Sequence, residues 1–164
     1  MVEIREAENE HDVKLVAELF REYERWIDMD LCFQSFEEEL ASLPGKYSPP
    51  DGRLFVAFVN ETPVGCIALR KLEEGICEMK RLYLNESARG LGIGRSLIEK
   101  LITVAREIGY KRMRLDTFPP KMGKAVSLYE AYGFRPIPSY YDNPHDGVLY
   151  MELELDQSAS VSIS

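Results

Sequence analysis

Residues 89–94 read RGLGIG. Glycine has a cost in backbone entropy, so three of them in five positions mark a place that needs a bare backbone. The strand-like run CEMKRLYL precedes them, and a run with helical apolar spacing follows. A strand, a glycine-rich turn and a helix start together make an anion site. The first-turn N–H groups have no helical partner, and the helix dipole favours negative charge there. Spacing excludes two phosphate loops. No GxxxxGK followed by Ser or Thr is present. A dinucleotide GxGxxG fails from Gly90 and Gly92, where Arg95 stands last, and again from Gly92 and Gly94, where Leu97 does. The pattern that remains is Arg89-x-x-Gly92-x-Gly94. A tight turn made only for packing would use the same glycines.

The charge pattern bears on what anion this would be. Residues 1–50 hold 13 acids and 5 bases, whereas residues 80–124 hold 11 bases and 4 acids. A basic segment containing the glycine run thus sits in a chain of net charge −8. That disfavours nucleic acid as a partner and leaves a small polyanion at the basic segment, or else a solvated helix face. Cys32, Cys66 and Cys77 form no CxxC pair, which points to reduced thiols in a cytoplasmic protein and to no metal site. With no nearby histidine, since His11 and His145 are distant in sequence, Cys66 and Cys77 read as packing residues and not as nucleophiles. No apolar run is long enough for a membrane span, and the acidic start has no secretory h-region.

The elements around the run alternate in kind. VEIREA (2–7) reads as an edge strand, residues 11–27 as an amphipathic helix, and SFEEELASL (35–43) as a short helix with Ser35 and Glu38 as a capping box. PGKYSPPDG (44–52) reads as a loop. Two strands flank NETP as a hairpin, and 75–84 is a third strand. After the glycines, Ile93, Leu97, Ile98, Leu101, Ile102, Ala105 and Ile108 form one helical stripe closed by Gly109. A strand (111–118), a helix (124–132) and one or two closing strands, including 147–155, complete a mixed α/β domain over 1–156, with 157–164 as a frayed tail.

At this point the chain resembles the GNAT superfamily of acyl-CoA-dependent N-acyltransferases. MKRLYLNESARGLGIGRSLIEKL is similar to that family's Gln/Arg-x-x-Gly-x-Gly/Ala segment, and AVSLYEAYGF to its LYExxGF segment. The resemblance implies an α/β (α+β) fold, a mixed, mostly antiparallel sheet of about six or seven strands flanked by about four helices. It implies acetyl-CoA as co-substrate, with no metal. Arg89, Gly90, Leu91, Gly92, Ile93, Gly94 and Arg95 would hold the pyrophosphate, and Leu82, Tyr83 and Leu84 would offer backbone groups to the pantetheine arm. A homodimer is expected by the same analogy.

The implied activity is N-acetylation of a primary amine of a small molecule or peptide, by direct attack on the thioester. A non-catalytic acyl-CoA-binding or sensing module is the alternative. Tyr129 takes the position of the family's acid that protonates the departing thiolate, and an ordinary phenol is protonated at neutral pH. Glu78 takes the position of a general base found in certain members. Alternation places it on the strand face of Lys80, Leu82 and Leu84 unless a bulge intervenes, and partial burial would raise its pKa toward a useful range. Met122 stands where many members have an asparagine that contacts CoA. For the acceptor, the acidic helices (Glu22, Glu24, Asp28, Asp30 and 37–39) read either as a rim for a cationic amine or as an ordinary soluble surface. The loop 137–147, with Tyr140, Tyr141, Asn143 and His145, reads as a pocket edge or as a Pro-stiffened loop.

Overall fold

The computed structural model describes residues 2–27, 36–88, 90–143 and 146–155. The expectations placed on Asp28, Asp30, Cys32, Ser35, Arg89, His145 and the 157–164 tail fall outside these residues. Asn9 starts the first helix, α1 (Glu10–Ile27), by accepting the Asp12 N–H on its Oδ1 at 2.8 Å. A buried stripe of Asp12, Val16, Leu19, Phe20, Tyr23 and Ile27 turns α1 toward the sheet. Helix α2 spans Phe36–Ser42. Helix α3 (Ile93–Ile108) buries Leu97, Ile98, Leu101, Ile102 and Ala105 and ends at Gly109 with φ 110°. Helix α4 is Pro119–Ala131.

The strands are β1 (Val2–Glu6), β2 (Arg53–Val59), β3 (Thr62–Glu73), β4 (Ile76–Leu84), β5 (Arg112–Thr117), β6 (Arg135–Ile137) and β7 (Leu149–Glu154). They form one seven-stranded sheet in the order β1-β2-β3-β4-β5-β7-β6. Among the described residues only the β4–β5 pair is parallel. This is the mostly antiparallel α/β architecture with four flanking helices that the family resemblance implies. Each face of the sheet buries its own apolar cluster. Phe55, Ala57, Ile67, Leu69, Cys77, Met79 and Leu82 meet α3 and α4. Leu54, Val56, Phe58, Cys66, Ala68 and Tyr83 meet α1 and α2.

Three readings are corrected. The hairpin turn is Asn60–Glu61 alone, both with positive φ, and Thr62 and Pro63 already belong to β3. The 44–52 segment is not simply a loop: Gly45–Tyr47 form a 3₁₀ turn that drives Tyr47 into the α1 side of the core, where it is 1% exposed. Helix α4 starts at Pro119 and not at Lys124. Two prolines in its first turn need no N–H there, and Met122 (φ −122°, ψ 32°) then breaks the helix before its regular part.

A fourth correction concerns the candidate base. Cys66 pairs with Tyr83 but Ala68 pairs with Lys80, so Arg81 and Leu82 together oppose Ile67. Arg81 has φ 59°, the mark of a β-bulge. The extra residue reverses the alternation. Glu78, Lys80 and Tyr83 therefore face α1 and α2, whereas Leu82 and Leu84 face α3.

Candidate active site

Strands β4 and β5 pair at three positions only: Ile76 with Arg112, Cys77 with Met113 and Glu78 with Arg114. Beyond Glu78, β4 continues to Leu84 and β5 to Thr117 without further pairing, so the two strands part as a wedge. Its open end leads into a cavity of about 810 Å³ between the end of β4, the glycine turn and the first turns of α4. Leu82, Tyr83, Leu84, Gly90, Gly92, Ile93, Gly94 and Arg95 all line it. Leu91 does not: it stands 53% exposed.

The glycines divide their work. Gly92 caps α3 in the left-handed region, φ 74°, which disfavours an ordinary side chain, and it places the start of α3 on the cavity wall. A Cβ on Gly94 would come within 3.1 Å of Leu84 Cδ1, so this glycine lets helix and strand approach. With Arg95 and Lys124 also on the wall, the donor set suits a pyrophosphate. Gly92→Ala is expected to weaken CoA binding about tenfold or more and to cost roughly 1–2 kcal/mol of stability. Calorimetric titration with CoA and a melting curve check both; unaltered affinity would remove the turn from the anion site.

A second cluster lies at the apex of the wedge, on the α1 face. Glu78 is 1% exposed. Its Oε1 accepts from Arg70 Nε at 2.8 Å and its Oε2 from the Tyr140 hydroxyl at 2.6 Å. Tyr141 donates to Asp116 and receives Asn143 Nδ2 at 3.0 Å. Tyr140, Tyr141 and Tyr150 stack edge to face, with centroids 5.3–5.5 Å apart. Consecutive tyrosines thus reach to the two diverging strands, Tyr140 to β4 and Tyr141 to β5. The expected rise in the Glu78 pKa is reversed. Burial pushes it up, but the Lys80 and Arg70 charges and the Tyr140 and Arg70 hydrogen bonds more than offset this, and the carboxyl is held below its ordinary range.

Tyr129 is 3% exposed and sits on the opposite face, its ring 5.6 Å from that of Phe134. Burial, reinforced by Tyr23 and Asp116, keeps its phenol well above the ordinary value. Cys66 and Cys77 are buried free thiols, also pushed up by burial, as befits packing residues. The acids of the first two helices are largely committed within the fold. Arg21 holds Glu37 at 2.6 Å and Glu24 at 3.6 Å, Glu22 accepts from the Tyr83 hydroxyl, and Glu39 is buried against Arg81.

These features match known proteins. Residues 13–134 match the model of the "Acetyltransferase (GNAT) family". The chain belongs to the GNAT acetyltransferase family. An uncharacterized N-acetyltransferase of Schizosaccharomyces pombe is 40% identical over 141 residues, covering 85% of this chain and 86% of that relative. Another from Dictyostelium discoideum is 33% identical, over 84% of this chain and 92% of its own length. Among solved structures, a GNAT-family acetyltransferase of Staphylococcus aureus Mu50 superposes with a TM-score of 0.79 at 23% identity, over 95% and 100% of the two chains. The PaiA N-acetyltransferase of Thermoplasma acidophilum, solved with coenzyme A, gives 0.72 at 21% identity, over 94% and 99%.

Within this GNAT acetyltransferase, several cavity residues carry no readable signal in the sequence. Trp26, at the end of α1, and Ala88, before the glycine turn, are ordinary amphipathic-helix and turn residues until the fold brings them to the wall. Pro119, Pro120 and Gly123 fall between the strand (111–118) and the helix (124–132) expected from the sequence. Met122 lines the same wall with a thioether where many members have an amide. Among the described residues no cluster of His, Cys, Asp or Glu could hold a metal, and no helix is long and apolar enough to cross a membrane.

Proposed function

We propose that this chain is an acetyl-CoA-dependent N-acetyltransferase acting on a primary amine of a small molecule or peptide, by direct attack on the thioester. The observation that carries the reading is the cavity joining the glycine turn to the unpaired end of β4. Related folds have been solved with coenzyme A and, in a Salmonella typhimurium protein, with acetyl-CoA. Here the first-turn N–H groups of α3, with Arg95 and Lys124, would hold the pyrophosphate, aided by Arg89. The β5-facing edge of β4 at Leu82, Tyr83 and Leu84 has no strand against it and would take the pantetheine amides. When bound, the co-substrate supplies an acyl group activated as a thioester.

The chain's own residues do the rest. Glu78 and Tyr129 lie on opposite faces of the sheet at the wedge, so proton removal from an incoming amine and proton donation to a leaving thiolate are kept apart. A carboxylate held below its usual range takes no proton from a free ammonium. It takes one, directly or through a group between them, once bonding to the carbonyl carbon has raised the acidity of the nitrogen. The segment with Tyr140, Tyr141 and Asn143 borders the acceptor side. Cys66 and Cys77, both buried thiols, fit a cytoplasmic setting.

Two measurements test this. CoA near ~100 times its dissociation constant should stabilise the fold by about 2.7 kcal/mol, with ATP and NAD giving far less. Thiol release from acetyl-CoA across a panel of small amines and peptides should find an acceptor, with acetylation seen by mass spectrometry. CoA binding without turnover on any amine would favour a sensing module instead.

A further inference from the structure

The reading of Glu78 as base meets an obstacle in the geometry. At 1% exposure, with Arg70 on Oε1 and Tyr140 on Oε2, Glu78 has no surface on which an amine could meet it directly. The Tyr140 hydroxyl caps that carboxylate, and its ring, only part-buried, belongs to the segment proposed above to border the acceptor. We propose that Tyr140 takes the proton from the attacking amine while passing its own hydroxyl proton to Glu78, whereas Tyr141 beside it holds the segment in place. This rests on Glu78 being the base, as proposed above.

What separates the two tyrosines is the state of the phenol oxygen. Tyr140 donates to Glu78 at 2.6 Å, and among the described residues no donor is aimed back at its oxygen. That leaves one acceptor site on the oxygen for an N–H. Tyr141 donates to Asp116 and already receives Asn143 Nδ2 at 3.0 Å, so both roles of that oxygen are filled. The position also fits. Glu78 lies on the last paired rung before β4 and β5 part, which puts Tyr140 at the apex of the wedge whose open end is the donor cavity.

The step balances. The amine nitrogen uses its electron pair to bond the thioester carbonyl carbon. Its N–H bond then breaks toward Tyr140 Oη as the Tyr140 O–H proton moves to Glu78 Oε2. The N–H electrons stay on nitrogen, Tyr140 is again a neutral phenol, and Glu78 becomes a neutral carboxylic acid. After product leaves, the same path in reverse returns the proton to solvent. The groups facing Glu78 suit a carboxylate that recharges readily: Arg70 from β3, Lys80 from β4, Arg114 across the rung on β5, Tyr140, and Tyr47 from the turn after α2. Arg114 also stands 5.4 Å over the Tyr140 ring.

The test is a mutant cycle on the intact chain, using acetyl-CoA and an amine that gives thiol release. Tyr140→Phe keeps the ring and its stacking. Tyr140→Phe and Glu78→Gln should each lower kcat about 100-fold with the KM for acetyl-CoA unchanged. The double variant should be no slower than either single, because the two act as a unit. The loss in Tyr141→Phe should instead multiply with that of Glu78→Gln. A slow Glu78→Gln beside a wild-type Tyr140→Phe overturns the relay alone, as do independent, multiplying losses at 78 and 140. A wild-type rate in Glu78→Gln overturns the base reading beneath it. Should Tyr140→Phe melt early, single-turnover rates of the unaltered enzyme in H₂O–D₂O mixtures decide: a bowed dependence supports two protons moving together, and a straight line overturns it.

Discussion

Replacing Glu39 by alanine is expected to lower stability by roughly 3–5 kcal/mol, the cost of leaving a buried charge without its partner. The partner is Arg81, 5% exposed, which donates from Nε and NH2 to the two Glu39 oxygens at 3.0 Å each. Its guanidinium also lies 5.3 Å from the Phe36 ring centroid and 5.9 Å from that of Tyr23. The bulge turns this side chain toward α1 and α2, so without Glu39 the cation would be left in an aromatic cage. Urea denaturation measures the loss, and a change below about 1 kcal/mol would contradict the account. Replacing both residues by methionine should recover most of it, since an apolar pair leaves no charge to solvate. The pH dependence has a definite sign. Burial pushes the Glu39 pKa up, but the hydrogen bonds and charge of Arg81, with Lys46 and Lys80, bring it below its ordinary value. The contribution is therefore complete above the unfolded carboxylate value near ~4.3 and is lost as pH falls through the lower folded one. Glu39→Ala should lack this acid-sensitive part.

Tyr129→Phe should slow turnover about 100-fold while CoA affinity stays unchanged. Burial holds the Tyr129 phenol far above the range of a thiol, so complete proton transfer to a thiolate runs uphill. The expected contribution is a hydrogen bond given to the sulfur as negative charge builds there, with solvent completing the protonation. It follows that Tyr129 should impose no basic limb on kcat below pH ~10. Rates from thiol release over pH 6–9.5, together with CoA titrations of the variant, check both points. Turnover equal to the parent would return Tyr129 to a packing role beside Phe134.

Elements with one buried stripe were legible because their period is visible. Helix α3 shows its apolar stripe from Ile93 to Ala105, and Gly109 ends it. The donor wall was legible for a different reason: RGLGIG and LYEAYGF are local, and each sits within a few residues of what it builds. Strand β4 was harder. Eight of its nine residues are buried, so neither face announces itself and a one-residue bulge leaves no trace in the alternation. Hence plain alternation puts Glu78 on the face of Leu82, and only the bulge at Arg81 separates them. The acceptor cluster depends on contacts far apart in the chain. Tyr140 and Glu78 are 62 residues apart, and Arg81 and Glu39 are 42 apart. No periodicity encodes such pairs. The sign of the Glu78 shift likewise depends on Arg70 across the ladder, which sequence cannot align without the register.

The bulge at Arg81 also bears on how such a chain could change over generations. It splits β4 into a stretch whose polar side chains face α1 and α2 and a stretch whose backbone and apolar side chains serve the donor cavity. If the amine binds near Glu78 and Tyr140 as proposed, residues there can be exchanged without disturbing Leu82, Leu84 or the glycine turn. Pairing β4 regularly through Arg81, with every residue kept and no bulge, would undo that independence. Tyr83 would swing into the α3 core and Leu82 into the ring-lined side, and recognition of both partners would fail together.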